Sequence, residues 1–346
     1  MRVRAVIASF QKQAPRILGA VFCAFSVFAS SACDKKGRTP DWVKPAAAPH
    51  ATATAVDVPA AAPVENSADD SQSHGLTFIT YNLENWLTED RYIDGKPVKG
   101  KPKPESQKQA IVQILARHSP DVLGLCEIGT AADLADIQER LKAAGLNLPH
   151  SHYTGGADPV RHLGFLSRFP ITATSKATET AFQLEGKTFA INRGILDATI
   201  AANQRSYRFI GAHLKSKRDS ELGDQEAIRL NEARLLRRHI DSILQNDASA
   251  RLIIYGDFND TRASPTIKTI VGNYRDPSYL TTIPAKDSHR EAWTHYWALN
   301  DIYSRIDFVM ISHALRKEAD FPAAKIIDDA EWDQASDHRA VMAVFK

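Results

Sequence analysis

From residue 76 onward the chain alternates short apolar runs with turn residues, and the spacing of the apolar positions separates strands from helices. Runs rich in β-branched and aromatic side chains predict strands over 76–83, 121–126, 163–167, 191–200, 206–213, 252–255, 306–311 and 339–345. Helical spacing predicts helices over 106–117, 131–143 and 221–244. In the last of these Ile228, Leu235, Ile240 and Ile243 form one apolar stripe. Strands outnumber helices, and several follow one another without a helix between them. That order predicts an α+β fold with largely antiparallel sheets.

The first 75 residues have a different texture. Arg2, Arg4, Lys12 and Arg16 precede an uncharged stretch over 17–32, most apolar over 17–28 and closing on small residues. This is the layout of a secretory signal, and it falls short of the roughly 20 apolar residues that a spanning helix needs. Ordinary cleavage near Ala32 is one reading. The other is a lipoprotein, because Ser30-Ser31-Ala32-Cys33 resembles a lipobox, with Ser30 where Leu is usual. Residues 1–33 are then a signal peptide ending at Cys33, the site of lipid attachment. Such a protein is exported to the periplasm or cell surface and held at the membrane by its N-terminal lipid. Residues 34–75, rich in Ala, Pro, Thr and Ser, lack the apolar content for a core and predict a disordered tether. Residues 76–346 form the folded domain, expected to be monomeric.

The 346 residues carry 43 basic and 41 acidic side chains. Eight of the basic and six of the acidic ones fall in 1–75, leaving 35 of each sign beyond it. Bulk charge therefore excludes a general affinity for nucleic acid, and any such affinity needs a local patch. Residues 91–108 offer one: Arg91, Lys96, Lys99, Lys101, Lys103 and Lys108 stand against Asp94 and Glu105. Their Gly and Pro content predicts an extended, mobile arm. Of three cysteines only Cys126 lies in the folded part, so no internal disulfide forms there, and its apolar neighbours mark it as a core residue.

Chemistry collects where the apolar runs stop. Six clusters adjoin strands: Thr80-Tyr-Asn82-Leu-Glu84, Cys126-Glu127, Gly211-Ala-His213-Leu-Lys215, Gly256-Asp257-Phe-Asn259-Asp260, Arg305-Ile-Asp307 and Ser336-Asp337-His338. Stacked sheets bring such ends to one edge. Together, and in this order, these segments resemble the endonuclease/exonuclease/phosphatase superfamily, the DNase-I-like metal-dependent phosphoesterases. The resemblance covers 76–346 and implies a four-layered α/β/β/α sandwich of two mostly antiparallel sheets. It further implies a divalent cation, Mg²⁺ or Mn²⁺, and attack on a phosphate ester by an activated water.

A charged ester repels nucleophiles, so the site must neutralise charge, place water and stabilise the leaving oxygen. Oxygen ligands suit a hard cation. By resemblance Glu127, Asn82 and Asp337 are the metal residues; Glu84, two residues after Asn82 on a continuing strand, is a further candidate. Asp257 matches the residue that activates or orients water, although an ordinary Asp pKa near 3.9 makes it a weak base. Asn259 and His213 match phosphate contacts, and His338 matches a histidine paired with Asp307. Arg193 either reaches phosphate or pairs with a carboxylate. Several relatives carry a phosphate-contacting Tyr or Arg before the strand that matches 163–167; here Tyr153, Arg161 and His162 all precede it, and the resemblance assigns the role to none of them. The aromatic stretch Trp293–Trp297 either stacks on bases or packs the rim.

These motifs fix the bond and leave the substrate open. A phosphodiesterase or nuclease is the first reading, with nucleic acid among the candidate partners. A phosphatase, or a phosphodiesterase of lipid headgroups (sphingomyelinase-like or inositol-phosphate-like), is the alternative. An inert surface-binding lipoprotein on the same fold is the third. No long apolar hairpin is evident in the sequence, which counts against the lipid reading.

Overall fold

A computed structural model describes residues 75–93, 96–218 and 223–346. The signal peptide, Cys33 and the tether lie outside the described residues. Two six-stranded sheets dominate. The first runs, in spatial order, Lys325–Ile326, Val341–Phe345, Leu76–Trp86, Val122–Ile128, His162–Ser167 and His150–Thr154. The second runs Thr281–Thr282, Asp307–Ile311, Leu252–Asp257, Arg205–Ala212, Ile195–Ala202 and Ile171–Thr174. Each sheet has a single parallel pair: Leu76–Trp86 with Val122–Ile128, and Arg205–Ala212 with Leu252–Asp257. Parallel neighbours need a crossover, supplied by the helices Glu105–His118 and Gln225–Asn246.

Three apolar clusters make four layers. The inner faces of both sheets meet in one core that includes Phe78, Cys126, Phe165, Phe209, Tyr255 and Val309. The outer face of the first sheet packs on Glu105–His118 and Ala131–Ala143, and that of the second on Gln225–Asn246 and Pro265–Val271. This is the α/β/β/α sandwich expected from the sequence. Local rules explain the helix ends. Thr130 and Asp133 form a reciprocal capping box, and Asp224 accepts the backbone N–H groups of Glu226 and Ala227.

All eight predicted strands are present, with shifted ends. The largest shift is at 191–200, where the strand begins at Ile195 and Arg193 lies on the bend before it. The basic arm is also different from the expectation. Glu89–Ile93 and Lys96–Lys101 pair as an antiparallel hairpin, and the next helix begins at Glu105. Lys103 does not belong to an exposed arm: it is buried, and its Nζ donates to the Glu84 carbonyl at 3.0 Å.

Candidate active site

Period-two alternation carries three polar residues into the inter-sheet layer. Leu76 and Phe78 face the inner core, whereas Ile79, Tyr81 and Leu83 face the helices, so Asn82 continues the inner row to the sheet's end. Likewise Ile253 and Tyr255 lead to Asp257, and Val309 and Ile311 lead back to Asp307. Asp257 and Asp307 are opposite each other in the ladder. Gly256 makes the approach possible: its φ is +130°, and a Cβ there would sit 2.0 Å from the Ala212 carbonyl oxygen.

Glu127 reaches the same place by a different device. Alternation alone would turn it toward the helices with Leu125. Instead its φ of +64° makes a bulge, and the register shifts between Cys126 and Ile128 against both neighbouring strands. Glu127 Oε2 accepts the Asn85 N–H at 2.9 Å, and Oε1 accepts from Asn82 Nδ2 at 3.4 Å. Backbone strain of this kind at a non-glycine residue concentrates where a side chain must be aimed.

The network then closes. Asn82 Nδ2 donates to Asp257 Oδ2 at 3.0 Å, and His213 Nε2 lies 3.5 Å from that oxygen. The Asn259 N–H donates to Asp257 Oδ1 at 2.8 Å, and Asn259 Nδ2 donates to the Leu214 carbonyl at 3.0 Å. His338 Nδ1 is 2.8 Å from Asp307 Oδ2, and its Nε2 is 3.7 Å from Asp257 Oδ2. Ser336 ties the last motif to the first strand: its hydroxyl donates to the Asn82 carbonyl and accepts the His338 N–H. Asp337 lies 3.9 Å from His338 Nε2 and opens toward solvent. Thus Glu127, His213, Asp257, Asn259, Asp337 and His338 line one cavity of about 540 Å³, and Asn82 and Asp307 lie behind them, bonded to Asp257 and His338 respectively.

Burial sets the electrostatics. It raises the Asp257 carboxyl from 3.8 to about 7, with the Asp307 charge adding to the effect. Burial thus carries Asp257 above the ordinary aspartate value on which the sequence-based reading rested. Burial pushes His213 well below the ordinary histidine value, reinforced by Arg193, so it is neutral near pH 7. Burial opposes charge on His338 too, but the Asp307 carboxylate outweighs it and holds His338 well above 6.5. Burial would raise Asp337, yet His295 and His338 hold it below the usual range.

One expectation needs revision. Glu84 does not continue the row of Asn82, because Glu84 and Asn85 adopt φ values of 47° and 62° and break the alternation. Its carboxylate lines the cavity rim, 3.6 Å from Lys103 Nζ. Arg193 lines the cavity as well, buried, 3.4 Å from Asp158, with Nε and Nη1 lacking any hydrogen-bond acceptor. Of the three residues left open, Tyr153 and His162 both bond the Gly129 carbonyl, whereas Arg161 faces the cavity.

The sequence offered no signal for two further residues. Glu232 is fully buried on the Gln225–Asn246 helix and accepts the Asn192 N–H at 2.9 Å and the Lys215 N–H at 2.6 Å. It thereby ties the bend that carries Arg193 to the segment after His213. His295 lies 3.7 Å from Asp337 with its ring 4.6 Å from that of His338. The first hides within a helix of mixed polarity, and the second within an aromatic stretch.

The family model described as Endonuclease/Exonuclease/phosphatase family matches residues 98–338. The chain belongs to the endonuclease/exonuclease/phosphatase family. Members of this family hydrolyse phosphoester bonds and generally depend on a divalent metal. No curated protein matches the sequence. Among solved structures, a family protein from Leptotrichia buccalis is 16% identical, with a TM-score of 0.54 over 78% of this chain and 99% of its own. Sphingomyelinase C from Streptomyces griseocarneus is 15% identical, TM-score 0.54, over 79% of this chain and 99% of its own. The human Nocturnin catalytic domain, solved with a sulfate anion, is 16% identical, TM-score 0.55, over 79% of this chain and 94% of its own. At these identities the likeness establishes the shared fold.

The donor set fits a hard divalent cation. Among the described residues no lysine or arginine lies within ion-pair distance of Glu127 or Asp257; His338, held charged, is 3.7 Å from Asp257, which leaves Glu127 as the carboxylate without a cationic partner. Three side chains there, His295, Asp337 and His338, also bring ligand atoms within 4.8 Å of one another.

Proposed function

We propose that the protein is a divalent-metal-dependent phosphodiesterase, with nucleic acid as its substrate class. The observation that carries this reading is the buried network joining Asn82, Asp257, His338 and Asp307 beside the strained Glu127. Glu127, Asn82 and Asp337 would hold Mg²⁺ or Mn²⁺, with Glu84 close by. When bound, the cation supplies charge neutralisation and Lewis acidity at the phosphate. Asp257, raised toward neutrality by burial, takes a proton from the attacking water as it adds in line to phosphorus, while the P–O bond opposite breaks and the leaving oxygen departs to be protonated by solvent. Asn259 fixes the Asp257 carboxylate. His338, kept charged by Asp307, donates from Nε2 to a non-bridging oxygen and stabilises the transition-state charge. Neutral His213 and the unpaired donors of Arg193 orient the other phosphate oxygens. Export and lipid attachment at Cys33 belong to the same proposal and would set the enzyme outside the cytoplasm.

The test is a panel of plasmid DNA, RNA, bis(p-nitrophenyl) phosphate and p-nitrophenyl phosphate in Mg²⁺ or in excess EDTA. Metal-dependent cleavage of the diesters ahead of the monoester supports the reading. Full activity in chelator, or monoester cleavage alone, overturns it.

A further inference from the structure

Two unfavourable features meet at the cavity rim. Glu84 and Asn85 are consecutive non-glycine residues at positive φ, 47° and 62°, and form a bulge that the backbone resists. Against this bulge lies Lys103, whose side chain is fully buried and whose Nζ donates to the Glu84 carbonyl at 3.0 Å. The Glu84 carboxylate, 3.6 Å away, is 40% exposed and compensates the charge only weakly. An ammonium is costly to bury on such terms. The chain nevertheless presents it from Pro102-Lys103-Pro104, where two prolines restrict the backbone before the helix begins.

A second cation grips the same bulge. Arg91, on the hairpin strand Glu89–Ile93, donates from Nη2 to the Asn85 carbonyl at 2.8 Å and the Leu87 carbonyl at 3.1 Å. Its Nε donates to the Lys101 carbonyl at 3.2 Å, so one guanidinium ties the hairpin to the bulge. The N–H groups of the bulge are used differently. That of Glu84 donates to Asn82 Oδ1 at 3.1 Å, and that of Asn85 donates to Glu127 Oε2 at 2.9 Å. Both carbonyls are thus held by cations, and both N–H groups grip side-chain oxygens of the catalytic network.

We propose that Lys103 and Arg91 are positioning residues, which clamp the Glu84–Asn85 bulge so that its N–H groups aim Asn82 and Glu127 at the cation. This rests on the metal-dependent reading of the site and gives a role to residues outside its ligand set. It also assigns two cations of the 91–108 segment to the metal ligands instead of the substrate. The sign of their effect separates the possible roles. A cation acting through its charge repels a divalent ion, so its removal tightens metal binding. A clamp acts through geometry, so its removal loosens the ligands and weakens metal binding although a positive charge has gone.

The experiment measures Mn²⁺ affinity by electron paramagnetic resonance for the intact protein, Lys103→Met and Arg91→Ala, with folding checked by circular dichroism. Methionine fills the space of the buried lysine without its donor. Arg91 lines the cavity rim, so Arg91→Ala leaves the core intact and decides the matter alone if Lys103→Met does not fold. Each folded variant should bind Mn²⁺ about tenfold or more weakly than the intact protein. Unchanged or tighter Mn²⁺ binding by a folded variant overturns the clamp and leaves the metal site standing. Absence of Mn²⁺ binding by the intact protein overturns the metal reading, and the clamp with it.

Discussion

His338 Nδ1 and Asp307 Oδ2 lie 2.8 Å apart in a buried pocket where the two sheets end. The carboxylate fixes the tautomer of the ring and favours its charged form, leaving the Nε2 proton facing the cavity. Asp307→Asn and His338→Ala should each lower kcat by at least about 10²-fold, with circular dichroism unchanged. The pair also contributes to stability with a definite sign. His338 is raised in the folded state, so its contribution is complete below pH 6.5 and is lost as pH climbs through the folded value. The Tm difference between wild type and Asp307→Asn should therefore shrink as pH rises above neutrality.

Asp257 moves stability with pH in the same direction, but here the charged form costs stability instead of contributing to it. Its folded value of about 7 stands above the 3.8 of an ordinary aspartate. Between those values the folded state binds more protons than the unfolded one, so stability falls as pH rises through this window. Asp257→Asn should therefore raise the Tm of the metal-free protein by a few degrees at pH 8, with little gain near pH 4, while turnover drops by at least about 10²-fold. Differential scanning calorimetry at the two pH values checks the sign.

Glu232 couples two cation-bearing segments through one carboxylate, which makes the energetics of that region non-additive. Glu232→Gln should raise KM several-fold for a small diester by loosening Arg193. In an Arg193→Ala background the same substitution should add little further to KM. Fully additive losses in this double-mutant cycle would show that Glu232 supports the fold alone.

The α+β class was legible from the order of strands and helices, and the four-layered sandwich and its site residues from the resemblance carried by the six strand-end clusters. The structure adds the reason: with Phe78 inward and Ile79 outward, alternation brings Asn82 into the inter-sheet layer, and the same holds for Asp257 and Asp307. What alternation misses is where the backbone departs from it. Glu127 and Glu84 both sit at positive φ, and the same irregularity aims one carboxylate into the network and holds the other at the rim. The basic arm misled for a related reason. Its prolines and glycines are compatible with a hairpin, and the burial of Lys103 depends on the Glu84 carbonyl, which lies nineteen positions earlier in the chain. Glu232 was invisible because its partners are backbone groups of distant segments.

The exposed lysines of the Lys96–Lys101 strand remain a candidate contact for a nucleic-acid backbone, now without Lys103. Replacing Lys96, Lys99 and Lys101 by Ala should flatten the log–log salt dependence of DNA cleavage by up to about 2–3. Hydrolysis of bis(p-nitrophenyl) phosphate should be unaffected. Equal slopes for wild type and variant would remove the hairpin from the substrate path.

The most direct measurement is the Mg²⁺ dependence of bis(p-nitrophenyl) phosphate hydrolysis for wild type and Glu127→Gln, alongside Mn²⁺ binding followed by electron paramagnetic resonance. The substitution removes one charge from an aimed oxygen ligand and keeps the side chain's size. The Mg²⁺ concentration for half-maximal rate should rise at least about tenfold, and Mn²⁺ affinity should fall in step. An unchanged metal dependence with unchanged Mn²⁺ affinity would contradict the assignment of this network as the active site.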